Sequence, residues 1–301
     1  MNCNLCPRKC NIDRDRSTGF CKESSTVRIA RAALHFYEEP PISGVSGSGA
    51  VFFSGCNLKC VFCQNESIAT SLVGKEITTK RLAEIMLNLE AKHACNINLV
   101  TPSHFVPEIR EAIVIAKEEG LSIPIVYNSS AYELPETLRL LDGLVDIYLP
   151  DFKYFNNETA VKYSFAQNYP EIAKKAIAEM FRQTGSFVID DNTGLMKKGM
   201  IVRHLLLPLG VKNAKNVISY LYETYGDDIF ISIMNQYTPM PETPSMKRVE
   251  STMPELFRKV TKREYERVLD HVLSLNIKNA FFQEGDTASD SFIPDFDFTG
   301  L

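Results

Sequence analysis

Three cysteines in eight residues, Cys56-x3-Cys60-x2-Cys63, follow directly on the apolar run Ala50-Val51-Phe52-Phe53. The loop reads Gly55-Cys-Asn-Leu-Lys-Cys-Val-Phe-Cys-Gln-Asn65, and no other feature narrows the fold and chemistry of this chain so far. A cubane of four irons takes four ligands; this loop supplies three and leaves one iron open. Three ligands plus a vacancy suit a reactive metal site, whereas closed four-ligand sites are usually structural or carry electrons. Zinc is the rival, but closing a zinc site requires a fourth ligand, and the nearest downstream candidates are His93 and Cys95. A disulfide is a weaker reading, because thiols this close pair only locally and leave one over.

Seven of the eight cysteines fall before residue 64, so the metals are expected at the front of the chain. Cys3-x2-Cys6-x3-Cys10-x10-Cys21 offers four thiols in nineteen residues, with Gly19 ahead of the last for a tight turn. Four ligands close a site, and spacing leaves zinc and a second iron–sulfur cluster both open. Arg8, Lys9, Arg14 and Arg16 either offset the thiolate charge or form a solvated basic face. Cys95 reads as a small buried residue. A net charge of −4 argues against nucleic acid as a main partner. No apolar stretch reaches the ~18 residues of a membrane span, and the polar N-terminus is unlike a signal peptide, so the expected location is the cytoplasm.

Short apolar runs recur at Ala50–Phe53, Ile97–Val100, Ile123–Tyr127, Leu144–Leu149, Ile201–Leu207 and Ile229–Ile233, as buried parallel strands do. Between them lie amphipathic helix patterns: Leu82, Ile85, Met86, Leu89; Ile109, Ala112, Ile113, Ala116; Ala173, Ala176, Ile177, Met180; Ala214, Val217, Ile218, Leu221. Another follows at Tyr265, Val268, Leu269 and Val272. Alternating strands and helices predict an α/β fold with a parallel sheet. Six units are too few for a closed eight-stranded barrel but enough for a curved, open one, and periodicity alone also permits a doubly wound sheet. Residues 239–254, with Pro239, Pro241, Pro244 and Pro254, lack any period and read as a surface loop or lid.

The C-x3-C-x-aromatic-C pattern, with Phe62 before the last cysteine, resembles the motif of radical S-adenosylmethionine (radical SAM) enzymes. The run Ser54 to Asn65, the opening Cys-Asn-Leu-Cys-Pro-Arg-Lys-Cys at residues 3–10 and the ending Phe292-Ile-Pro-Asp-Phe resemble the branch similar to pyruvate formate-lyase activating enzyme. The resemblance implies a partial (β/α)6 barrel, expected over residues 46–240, flanked by a cysteine-rich N-terminal extension over 1–45, where the spacing puts the second metal site, and by a C-terminal loop, helix and tail over 241–301. It implies a 4Fe-4S cluster on Cys56, Cys60 and Cys63 that binds SAM at its open iron and cleaves it to methionine and a 5′-deoxyadenosyl radical. One departure stands out: relatives with extra clusters carry those cysteines after the motif, whereas here they precede it.

SAM presents a carboxylate, an amine, a ribose and an adenine, so the strand ends should supply cations, hydroxyls and amides. Leu149-Pro150-Asp151-Phe152-Lys153 resembles the Asp-x-Lys element of the same relatives, which implies that Asp151 and Lys153 lie near the amino-acid end of SAM; an exposed ion pair is the alternative. Arg203 is a charge within Ile201-Val-Arg-His-Leu-Leu-Leu-Pro208, so it should face an anion inside the barrel or a structural acid, with His204 facing the other way. Asn128, Ser129 and Ser130 could take the ribose hydroxyls or simply make a turn. Thr101 stands where many radical SAM enzymes have Gly-Gly-Glu holding the SAM amine, and could substitute through its hydroxyl and carbonyl. Asn235-Gln236-Tyr237 and Gln283-Glu284 either line the substrate side or cap loops. Partners implied are SAM, an electron donor such as flavodoxin or ferredoxin, and a glycyl-radical protein whose glycine gives up hydrogen. The alternatives are radical modification of another macromolecule or a small metabolite, and a non-catalytic iron–sulfur interaction protein.

Overall fold

The computed structural model describes residues 3–283 and 294–301. The chain runs β1 (Val27–His35), α1 (Pro40–Ser43), β2 (Ser48–Phe53), α2 (Glu66–Ala69), β3 (Lys75–Ile77), α3 (Thr79–Ala91), β4 (Ile97–Val100), α4 (Val106–Glu118), β5 (Ile125–Ser129), α5 (Pro135–Leu138) and β6 (Ile147–Pro150). It continues through α6 (Asn157–Ser164), α7 (Tyr169–Thr184), β7 (Val188–Ile189), β8 (Met196–Leu205), α8 (Val211–Tyr225), β9 (Phe230–Met234), α9 (Pro244–Val249), α10 (Lys262–Ser274) and β10 (Ala280–Phe282). The sheet order is β10-β9-β8-β6-β5-β4-β2-β1-β3, with β7 hanging antiparallel on β8.

Seven neighbours from β2 to β10 are parallel, and β1 and β3 add an antiparallel edge. Among the described residues the two end strands do not pair with each other, so this is the unclosed, partial barrel that the resemblance implied and six βα units allow. All six expected strands form. The third begins two residues late, at Ile125, because Pro124 has no N–H for the ladder. The seventh parallel strand, β10, is only three residues long and carries no periodic signal. β1 is the partner of β2 over six paired positions, so residues before 45 contribute to the same sheet as the three-cysteine loop.

Strand alternation sorts the core into two layers. Outward residues such as Leu99, Tyr127, Tyr148 and Val202 meet the helices, whose expected apolar positions Leu82, Ile85, Ile109, Ile113, Ile177 and Ile218 are all buried there. Inward residues Val126, Ile147, Leu149 and Ile201 pack around Ile42 of α1, so the turn after β1 plugs the inner face. Above that apolar floor the same inward file carries Asn98, Asn128, Asp151 and Arg203. The 239–254 segment is more ordered than a plain loop. Thr243 caps α9 by accepting from the Met246 N–H, and Pro244 opens the helix, a start signal that hydrophobic periodicity does not register. Among the described residues no helix is long and apolar enough to cross a membrane.

Candidate active site

The three-cysteine loop leaves the C-terminal end of β2 and is pinned from below by α6. Val61 N–H donates to the Tyr163 carbonyl (2.9 Å) and Lys59 N–H to that of Ser164 (3.4 Å), groups left over at the helix end. Phe62 packs edge-on against Tyr163 and Tyr237, with ring centroids 6.4 and 6.0 Å away. The sulfurs receive donors: Ser164 Oγ lies 2.9 Å from Cys60 Sγ, and Leu58 N–H donates to Cys56 Sγ at 3.4 Å. Burial, with the Cys60 charge adding to it, pushes the Cys56 thiol up to about 11 and raises Cys63 further. Loading a metal here must therefore expel protons that burial holds in place.

His93 and Cys95 do not close this set. They precede β4, which runs parallel to β2, whereas Cys56 follows β2, so about four residues of strand, or ~13 Å, separate the two ends. Cys95 is half-buried and its Sγ lies 3.2 Å from the Ser43 carbonyl; His93 is exposed. The three cysteines line a cavity of about 430 Å³ inside the sheet.

The same cavity is lined by Thr101, Asn128, Ser130, Asp151, Lys153 and Arg203. Arg203 is the hub. Its Nε donates to Asp151 (2.8 Å), Nη1 to Glu38 (2.9 Å) and Nη2 to Asn128 Oδ1 (2.7 Å), and Lys153 Nζ donates to the other Asp151 oxygen at 2.6 Å. Burial opposes charge on Asp151, but Arg203 and Lys153 outweigh it and hold the carboxyl below its ordinary range. For Lys153 burial is again outweighed, here by Asp151 and Cys60, and its proton is held more tightly. Asn128 spends its amide on Arg203 and Glu38, so it positions the knot rather than offering a free amide. Ser130 Oγ, by contrast, is buried without a partner among the described residues and faces the cavity.

Thr101 sits at φ 61, a left-handed conformation rare for a β-branched residue, at the end of β4. His204 faces away, as alternation requires: its Nδ1 bonds the Phe152 carbonyl at 2.7 Å, and burial lowers it to about 4. Gln236 and Gln283 line the cavity wall and also tie the loops after β9 and β10 together (2.7 Å). Glu284, Phe292 and Ile293 lie outside the described residues. Glu38, Glu39 and Ser164 were not foreseen. The only sequence hint was a pair of acids just before Pro40-Pro41-Ile42, and no spacing rule links them to a site.

The N-terminal four cysteines form a compact knot of turns beside this loop. Positive φ falls on Lys9, Asn11 and Lys22, not on Gly19. Gly19 does open a tight turn (Lys22 N–H to its carbonyl, 2.9 Å), but its value is space: a Cβ there would lie 3.4 and 3.5 Å from the sulfurs of Cys10 and Cys21. Burial pushes Cys6 up to about 12, with Cys21 and Cys10 nearby, and Cys21 in turn feels Cys3. Among the described residues no three His, Cys, Asp or Glu side chains are drawn together around a single ion position. The knot docks on the open loop. Arg8 lies 3.8 Å over the Phe20 ring and donates to the Asn57 carbonyl at 2.7 Å. Gly55 (φ +79) admits the Cys21 carbonyl, which would lie 2.7 Å from any Cβ. Of the four basic residues, Arg8 and Arg14 are thus packed in, while Lys9 and Arg16 stay exposed.

Residues 50–194 match the Radical SAM superfamily. The uncharacterized protein MJ0674 of Methanocaldococcus jannaschii is 29% identical over 287 residues, 92% of this chain and 75% of that protein. A second protein of that organism, uncharacterized protein MJ0808, is 21% identical over 165 residues, 49% of each. Streptococcus suis SuiB bound to S-adenosylmethionine superposes with a TM-score of 0.50 at 14% identity, over 76% of this chain and 48% of that one. HydG, a maturase of the FeFe-hydrogenase, gives 0.51 at 12% identity, over 76% and 50%. The chain spans about half the length of these two solved structures, and the likeness is one of fold. The sequence match and the shared fold coincide on residues 50–194, which run from β2 through the three-cysteine loop to the turn after β7.

Proposed function

We propose that this chain is a radical SAM enzyme that binds a 4Fe-4S cluster through Cys56, Cys60 and Cys63. One observation carries the reading: the three half-buried cysteines of one loop line the same cavity as the Asp151–Lys153–Arg203 knot. The donor set fits the cluster, since sulfur ligands suit iron–sulfur chemistry and the O–H and N–H donors on Cys60 and Cys56 stabilise anionic sulfur. When bound, that cluster would take SAM at its open iron and supply the electron for reductive cleavage. The protein's part is to orient and to exclude water. Asp151 and Lys153 set a fixed ion pair in the cavity wall within reach of the Cys60 charge, Ser130 offers a hydroxyl without a partner among the described residues, Thr101 lines the cavity in a left-handed conformation, and Phe62 packs on Tyr237. The hydrogen donor is, on this reading, a glycine of a protein partner, supported by the sequence resemblance to the pyruvate formate-lyase activating branch; an external donor such as flavodoxin or ferredoxin delivers the electron. Anaerobically reconstituted protein, reduced with dithionite in the presence of SAM, should form 5′-deoxyadenosine. If none appears with any of several reductants, the reading is wrong.

We also infer a second metal site on Cys3, Cys6, Cys10 and Cys21, supported by their spacing in the sequence and by the Cys10 and Cys21 sulfurs that flank Gly19. Iron, sulfide and zinc content of the wild type, beside a variant with all four replaced by serine, tells one cluster from two and iron from zinc.

A further inference from the structure

Three carboxylates and two cations meet on the inner face of the sheet, and the charges do not cancel. Asp151 pairs with Lys153 and Arg203, and Glu38 pairs with Arg203. Glu39 has no ion-pair partner among the described residues, yet it is nine-tenths buried and lines the cavity beside Pro40 and Phe281. Its side-chain partner is Ser232, which stands next to Arg203 across β8 and β9, and among the described residues its Oε2 has no hydrogen-bond partner. Residues 284–293 contain no Lys, Arg or His that could be brought to it. A buried carboxylate without a partner is costly. Protonation relieves the charge but leaves an O–H without an acceptor, so either form is incomplete until something enters the cavity.

We infer that the cavity recognises a cationic nitrogen, ammonium or guanidinium, on the substrate, and that Glu39 is the group that binds it. The inference rests on the enzyme reading above and adds the substrate class to it. SAM also carries an ammonium, but the sheet order separates the two sites. Glu39 lies against β9, while the three cysteines follow β2, with β8, β6, β5 and β4 between. That placement assigns a cation at Glu39 to the molecule across the cavity from the cysteine loop, an assignment that the SAM measurement below tests. Burial raises the Glu39 carboxyl above its ordinary range despite the nearby Arg203 charge, as expected of a group whose counter-ion arrives with the ligand.

The test uses the reconstituted full chain with methylguanidinium as probe and N-methylurea, nearly the same shape without the charge, as control, both followed by calorimetry. Wild type should prefer the cation by about tenfold, since a buried charged partner is worth at least that. Glu39→Gln should lose the preference and Glu39→Asp should keep part of it. The inference is overturned if wild type shows no preference, or if Glu39→Gln, melting as the wild type does, retains it. SAM affinity measured on the same variants separates the two sources: a loss of about tenfold for SAM in Glu39→Gln would assign the cation to SAM and overturn the substrate assignment. Probe binding needs no turnover, so absence of 5′-deoxyadenosine from wild type would count against the enzyme reading alone.

Discussion

The two cysteine regions lie against each other and are built on opposite plans. The N-terminal knot has four thiols, is tied by turns at Lys9, Asn11 and Lys22, and has its own Cys10 and Cys21 sulfurs crowded on Gly19. The loop after β2 has three thiols, borrows its support from α6, and turns its free side to a cavity walled by strand ends. A set that is complete within one peptide segment can hold a metal but leaves no place for a substrate. A set that is one ligand short, set into the mouth of an open sheet, offers that place. The contact between them, Cys21 carbonyl on Gly55 and Arg8 on Asn57, is tight enough that charge at one is felt at the other: both Cys6 and Cys56 act on Arg8.

The sharpest way to break this comparison is to remove one thiol from each side. Cys60→Ala should abolish 5′-deoxyadenosine formation while keeping whatever metal the N-terminal knot holds, read as iron, sulfide and zinc per chain. The serine replacement of Cys3, Cys6, Cys10 and Cys21 should lose that second metal but still cleave SAM when dithionite supplies the electron directly, within about tenfold of wild type. If the quadruple variant is as dead as Cys60→Ala although its iron at the loop is intact, the knot is part of the reaction and the division between closed and open sites fails.

The open side was legible in the sequence where chemistry and periodicity coincided. Cys56, Cys60 and Cys63 follow an apolar run, so both the ligands and their place at a strand end could be read together. Arg203 was legible as a charge inside Ile201-Val-Arg-His that should face an anion in the barrel or a structural acid, and in the structure it meets the acids Asp151 and Glu38. Its partner Glu38 was not: the two are 165 residues apart, and only the closing of the sheet brings them within 2.9 Å. Glu39 was invisible for the same reason. Its significance is the lack of an ion-pair partner among the described residues, which no local pattern encodes. β1 escaped because Arg28 and Arg31 interrupt its apolar residues, although both charges are paired in the fold, on Glu23 and on Asp297.

Arg203→Ala sharpens the open side at the next level of effect. It strips Asp151 and Glu38 of their shared cation, and removing one partner of a buried ionic knot costs about 3–5 kcal/mol, to be read as the shift in urea-unfolding free energy. A loss below about 1 kcal/mol, the range of a surface pair, would mean that the knot is solvated and that Asp151 is not held in place by it.

The smallest effect concerns the two faces of β8, where Arg203 looks into the cavity and His204 away from it. Burial lowers His204 to about 4, with the Phe152 carbonyl opposing, whereas an unfolded histidine titrates near 6.5. Above pH 6.5 the ring is neutral in both states and contributes no pH dependence. As the pH falls from 6.5 toward 4 the unfolded chain takes up a proton that the folded chain refuses, so stability drops by on the order of 2 kcal/mol by pH 5. His204→Asn keeps a side-chain N–H for the Phe152 carbonyl and removes the titration, so the difference in unfolding free energy between pH 7 and pH 5 should shrink by about that amount. An unchanged slope would show that His204 is protonated in the fold, and with it that this face of β8 is not the dry, structural side that the comparison with Arg203 requires.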